Sequence, residues 1–303
     1  MMRFRLLARI TSLALVSLAF ATSACGQAAE EPKNTQPSVA YQLSSYEDDR
    51  LDDLAGKPQQ LVIIDLARDA AASYFTAEEI GKLRAKGKTV LAYFEIGSLE
   101  DFRPDFERFR TANPDLMLNE WQHWEGEFFV KYWDERWWTS AVKPRVDRAL
   151  AAGFDGVYMD TPLAYEEIDL ALVPGETRQT LGRKMVDQIV RISRYAKQIR
   201  PGFLIYPQNS PELRHHTGYT EAIDGIGMEE LFFLATDEPC DKDFCAENLR
   251  EAKALRDAGK RVVAIDYATD PGNIASACRQ HRDEGFAGAV TVKPLDTVPP
   301  PCP

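Results

Sequence analysis

Histidine and cysteine are scarce in this chain: its 303 residues hold four His and five Cys, and no two Cys stand at CxxC spacing. His123, His215, His216 and His281 all fall away from the ends of the predicted strands, which disfavours a metal site and calls for no cofactor. No Gly-rich loop follows the seventh or eighth apolar run, which argues against phosphosugar chemistry. Positive charge is in deficit, with a formal net charge of -11, and this disfavours nucleic acid or an anionic membrane surface as partner. An apolar run long enough to span a bilayer is lacking too, since the N-terminal run at residues 10–21 is too short.

What that N-terminus does contain is Arg3, Arg5 and Arg9, then the apolar run, then small residues up to Cys25, the order of a secretory signal. The segment Thr22-Ser23-Ala24-Cys25 resembles a bacterial lipobox, so Cys25 is the expected lipidation site and the only expected link to a membrane. Residues 1–24 are thus read as signal, 25–38 as a flexible tether without apolar periodicity, and 39–303 as one catalytic domain. Losing the three Arg with the signal takes the charge from -11 to -14. The expected location is periplasmic or envelope-anchored. In an oxidising compartment the four remaining Cys allow three pairings, of which we favour Cys240–Cys245, closing a short loop, and Cys278–Cys302, tying down the Pro-rich tail.

Within the domain, eight short apolar runs begin at Val39, Leu61, Thr89, Asp155, Phe203, Gly225, Arg261 and Gly288. Helical patterns separate most of them, and Gly87, Gly153 and Gly259 mark helix ends. This rhythm predicts an α/β fold, a single (β/α)8 TIM-type barrel rather than an open doubly wound sheet. Polar residues recur where strands end: Asp65, Glu95, Asp160, Gln208, Glu229, Asp266 and Lys293. In a closed barrel those ends meet at one mouth. The longest interval, residues 103–138, carries all five Trp, a composition suited to stacking on sugar rings, although Trp137 or Trp138 is expected to pack beneath its helix.

Alternation along a strand selects among the carboxylates. In GVYMD, Gly156, Tyr158 and Asp160 share a face; in GIGMEEL, Gly225, Gly227 and Glu229 do, which favours Glu229 over Glu230. Two inward carboxylates on non-adjacent strands are the minimum for glycoside hydrolysis, one protonating the leaving oxygen and the other attacking the anomeric carbon or activating water.

The motifs VLAYFEIGSLEDFRPDF, WEGEFFVKYW, GFDGVYMDTPLAYE, YPQNSPEL and YTEAIDGIGMEELFF, followed by AIDYA, together resemble the endo-α-1,4-polygalactosaminidase family, glycoside hydrolase family 114. The resemblance runs from about Tyr41 to Lys293. It implies a barrel that cleaves α-1,4-linked galactosamine-containing polysaccharide, with Asp160 as nucleophile and Glu229 as general acid/base, an order associated with retention. It also marks Tyr93, Asp101, Arg103, Tyr158, Gln208, Asn209, Asp266 and Tyr267 as substrate contacts or barrel braces, with Arg103 a candidate partner of Asp101 or Glu100. Where the family usually presents Ser, this chain has Glu95, a third acid expected in the mouth, either to tune a neighbour or to bind a substrate amino group. The competing reading is a non-catalytic carbohydrate-binding envelope lipoprotein whose chemistry Glu95 has disrupted.

Overall fold

The computed structural model describes residues 36–46 and 51–302. Cys25, the signal and the tether up to residue 35 lie outside the described residues. Eight parallel strands form the centre: β1 (Val39–Gln42), β2 (Leu61–Asp65), β3 (Thr89–Glu95), β4 (Gly156–Asp160), β5 (Leu204–Pro207), β6 (Gly225–Glu229), β7 (Arg261–Tyr267) and β8 (Ala287–Thr291). All eight predicted strands are present within a residue or two of their expected starts. β1 to β5 pair in order in one sheet, and β6, β7 and β8 in a second.

Two short seams join the sheets. At one, Gln208 bridges to Gly227, with Asn209 N donating to Gly227 O at 2.7 Å and Asp224 N to Ile205 O at 2.9 Å. At the other, Ser38 bridges to Gly288 and Leu43 N donates to Leu295 O at 2.7 Å. The ring of eight parallel strands therefore closes, as the alternation of strand and helix patterns predicts.

The period of two sorts the side chains. Tyr41, Ile63, Leu91, Tyr93, Tyr158, Tyr206, Val263 and Ile265 fill the interior, whereas Val62, Ala92, Val157, Met159, Ile226 and Ala264 face the surrounding helices. Those crossovers are α1 (Asp52–Gly56), α2 (Ala77–Ala85), α3 (Lys143–Ala152), α4 (Arg178–Ile199), α5 (Tyr219–Ala222), α6 (Asp243–Asp257) and α7 (Pro271–Asp283). α4 begins at Thr177, whose side chain accepts from Thr180 N, and buries Leu181, Met185, Ile189, Ile192 and Ala196 at helical spacing. The glycines at 87, 153 and 259 follow their helices with φ of 78°, 85° and 81°, the left-handed geometry that ends a helix.

The long interval after β3 is a small antiparallel sheet in which Glu127–Val130 lies between Ser98–Glu100 and Met117–Glu120. From Glu135 the chain is helical through a short turn, Glu135–Trp137, and a π-helical turn, Trp138–Val142, into α3. Trp137 and Trp138 are buried, and Trp137 Nε1 donates to Ile96 O at 2.9 Å. Of the five Trp only Trp124 is exposed. Both expected disulfides are formed, Cys240–Cys245 and Cys278–Cys302.

Candidate active site

Asp160 and Glu229 end β4 and β6 on the inner face, each partly exposed. The strand ends that carry them are locally strained. Thr161, Asn209, Ser210 and Glu230, each just past β4, β5 or β6, have φ of 60°, 60°, 51° and 56°. None is glycine, and Thr161 is β-branched, so each left-handed residue costs on the order of 1–3 kcal/mol.

The strain has local consequences. Thr161 N turns back to donate to Asp160 Oδ1 at 2.6 Å, and Tyr93 Oη donates to Asp160 Oδ2 at 2.5 Å. Asn209 Oδ1 accepts from Glu229 N at 2.9 Å. The Glu229 carboxyl is held by Tyr267 Oη at 2.5 Å and by the Gln208 amide, whose Oε1 in turn accepts from Tyr41 Oη at 3.1 Å. Tyr93, Asp160, Gln208, Asn209, Glu229 and Tyr267 are thus brought together.

The two carboxyls differ in their electrostatics. Burial pushes Asp160 up to about 6, opposed by the Tyr93 and Thr161 hydrogen bonds. Burial and then the negative charge of Asp160 push Glu229 to about 8, opposed by Tyr267. Near neutral pH, Asp160 is therefore mainly ionised while Glu229 keeps its proton.

Glu95 is 1% exposed and does not stand free in the mouth. It pairs with Arg103, accepts a further ion pair from Arg145 at 3.6 Å, and its carbonyl takes a hydrogen bond from the same Arg145 at 2.9 Å. Arg103 also reaches Asp65 at 2.9 Å and Glu100 at 2.9 Å, so of its two candidate partners it meets Glu100 and not Asp101. Although burial pushes Glu95 up, Arg103 holds it below the usual range, whereas burial and the adjacent Glu95 push Glu100 above it.

Three expected substrate contacts lie elsewhere. Asp266 sits on the outer face of β7, fully buried, accepting from Phe232 N at 2.7 Å and Phe233 N at 2.8 Å and meeting His281 Nε2 at 2.6 Å. It anchors the loop after β6 to α7 and cannot face a sugar. Asp101 is exposed on the insertion, its amide donating to Gly126 O at 2.8 Å. Tyr158 is fully buried beneath Gly227, in the barrel core, so it supports the mouth from below.

One residue escaped the sequence reading. Glu127, on the middle strand of the insertion sheet, is 3% exposed and lies 2.5 Å from Ser98 Oγ, which is 2.9 Å from Thr161 Oγ1. Burial and then Asp160 push it up to about 8. The motif WEGEFF contained it, but nothing in strand periodicity ties an insertion hairpin to a barrel mouth.

A closed α/β barrel with two carboxyls on the inner face at the ends of strands four and six has the architecture of the glycoside hydrolases that work with a carboxylate pair. Within that class the chain belongs to glycoside-hydrolase family GH114, which it matches over residues 21–303. It is 33% identical over 272 residues to an uncharacterized protein of Deinococcus radiodurans, covering 88% of this chain and 85% of that one. An uncharacterized protein of Methanocaldococcus jannaschii is 30% identical over 237 residues, covering 76% of this chain and 66% of the other. Among solved structures, the glycoside hydrolase domain of PelA from Pseudomonas aeruginosa superposes with a TM-score of 0.65 at 18% identity, covering 86% of this chain and 97% of that one. Aspergillus fumigatus Ega3, in complex with galactosamine, gives a TM-score of 0.66 at 16% identity, covering 88% and 95%. At such identity the two structures speak for the shared fold.

Proposed function

We propose that the protein is an endo-acting glycosidase of α-1,4-linked galactosamine-containing polysaccharide, in which Asp160 attacks the anomeric carbon and Glu229 serves as general acid and then base. The observation that carries this reading is the placement of the pair at the ends of β4 and β6 on the inner face, each carboxyl gripped by a tyrosine hydroxyl; burial and the charge of Asp160 raise Glu229 above Asp160, which suits Glu229 to the acid's part and Asp160 to the nucleophile's. In the first step the C1–O bond to the leaving sugar breaks as the Glu229 proton moves to that oxygen and Asp160 bonds to C1. Water, deprotonated by Glu229, then releases the sugar with retained configuration. Gln208, Tyr267 and Tyr93 hold the two carboxyls in place throughout.

The non-catalytic reading required Glu95 to disrupt the site. Its pairing with Arg103 and Arg145 speaks against that. Export with lipidation at Cys25 is part of the same proposal, supported by the N-terminal charge and apolar pattern and by the two disulfides.

Asp160→Asn should lower hydrolysis of a galactosaminoglycan by about 10³-fold or more while binding persists, and Glu229→Gln by about 10²- to 10⁴-fold, with substrates bearing good leaving groups least affected. Wild-type protein inert on galactosaminoglycans of varied acetylation would sink the proposal.

A further inference from the structure

Glu127 has no task in the chemistry above, yet it is buried beside it. Its carboxyl is connected to Asp160 through three contacts: Ser98 Oγ at 2.5 Å, Ser98 Oγ to Thr161 Oγ1 at 2.9 Å, and Thr161 N to Asp160 Oδ1 at 2.6 Å. Among the described residues no other hydrogen bond and no ion pair reaches the Glu127 carboxyl, although the side chain is almost wholly out of solvent. A buried carboxyl with one hydroxyl partner is an expensive arrangement unless a ligand completes it.

The charges facing Glu127 sharpen the point. Asp160 ends β4, Glu95 ends β3, and Glu100 lies opposite on the neighbouring strand of its own sheet. The cations nearby are already committed, Arg103 to Asp65, Glu95 and Glu100, and Arg145 to Glu95 and Asp105. The space beside Asp160 is rich in acid and short of compensating positive charge.

We infer that Glu127 binds the ammonium group of the amino sugar seated over Asp160, and so selects the free amine over its N-acetylated or hydroxyl counterpart. The inference rests on the proposed function and deepens it. In a 2-amino sugar the nitrogen is one carbon away from the anomeric centre, so a ring whose C1 meets Asp160 holds its nitrogen next to Asp160's neighbours. Empty, Glu127 carries a proton near neutral pH because burial and Asp160 favour its uncharged form. On binding, that proton passes to solvent and a carboxylate–ammonium pair forms, with Ser98 still donating to the other side. An acetamide brings no charge and a hydroxyl no more than a neutral hydrogen bond.

Calorimetry of galactosamine, N-acetylgalactosamine and galactose binding to the mature wild type, Glu127→Gln and Ser98→Ala tests this. Wild type should prefer galactosamine; Glu127→Gln should lose that preference by about tenfold or more with galactose binding unchanged, and Ser98→Ala should fall between them. Across buffers of different ionisation enthalpy, galactosamine binding should release on the order of one proton in wild type and none in Glu127→Gln. The inference is overturned if wild type binds galactosamine no better than galactose, or if Glu127→Gln weakens both sugars alike or neither. Monosaccharide binding requires no turnover, so a chain that cleaves no polymer defeats the proposed function without deciding this test. Conversely, a Glu127→Gln enzyme that still cleaves the free-amine polymer and keeps its preference leaves the function standing and removes this inference. Unchanged melting temperatures exclude misfolding, and Glu127→Met, which also removes the carboxyl, substitutes for Glu127→Gln if the latter fails to fold.

Discussion

Two tyrosine hydroxyls set the working range of the candidate pair. Tyr93 donates to Asp160 and Tyr267 to Glu229, and each donation favours the ionised carboxyl and lowers its pKa against the effect of burial. The proposed mechanism requires Asp160 ionised, hence a pH above about 6, and Glu229 protonated, hence a pH below about 8. The profile of kcat/KM should therefore be bell-shaped with limbs near those values. Tyr93→Phe removes stabilisation of the Asp160 anion, so the acid limb should move to higher pH while the alkaline limb stays. Tyr267→Phe should instead move the alkaline limb to higher pH, because Glu229 holds its proton longer. A rate loss in either variant without a shift of its own limb would show that the hydroxyls act on geometry alone. Because the pair titrates together, the limbs belong to the dyad, and it is the separate response to the two substitutions that assigns them.

At the level of strands, the inner face of the barrel was legible because the period of two is unambiguous in GVYMD and GIGMEEL: the residues expected inward, Tyr158, Asp160 and Glu229, are inward. The same rule was available for Asp266. Val263, Ile265 and Tyr267 point inward, which places Asp266 on the helix side, and the helix partner His281 that explains it comes from α7, far along the chain. Gly225 and Gly227 share the face of Glu229, and the structure shows what fills the room beneath it. A Cβ on Gly225 would come within 2.1 Å of the Tyr206 ring, and one on Gly227 within 1.8 Å of Tyr158 Oη and 2.3 Å of its Cζ. Tyr158 is wholly buried and packs 5.4 Å, centroid to centroid, from Tyr41, so it has nowhere to retreat. Gly227→Ala should cost about 1–3 kcal/mol of stability and reduce kcat, since Glu229 lies two residues along the displaced strand. Thermal melting checks the first effect. Adding Tyr158→Val should recover part of the loss if the clash is its cause, because the two substitutions then fail to add.

For the whole molecule, what could not be read from the sequence is what joins distant segments: the insertion sheet that brings Glu127 to the mouth, the Arg103 cluster that neutralises Glu95, and the particular contacts that seal the predicted ring between β8 and β1. Pairing of Cys278 with Cys302 was legible as the tying of a Pro-rich tail, but its place in barrel closure was not. The tail runs back along the start of the ring. Leu295 O accepts from Leu43 N, Gln42 Nε2 donates to Asp296 O at 3.3 Å, and Gln59 Nε2 donates to Pro299 O at 2.8 Å. The disulfide fixes the far end of that tail to α7, so it constrains the β8–β1 seam, whose direct pairing is a single bridge at Ser38 and Gly288. Closing a loop with a separation of 24 residues restricts the unfolded chain by about 3 kcal/mol, against about 2 kcal/mol for Cys240–Cys245 with a separation of 5. Cys278→Ser with Cys302→Ser should therefore lower the melting temperature by roughly 6–12 °C, more than Cys240→Ser with Cys245→Ser. Hydrogen exchange separates a local from a merely entropic role: if the tail staples the seam, the Leu43 amide loses protection in the Cys278/Cys302 variant and keeps it in the other. Equal protection in both would mean that the disulfide acts only on the unfolded chain, and that the seam holds without it.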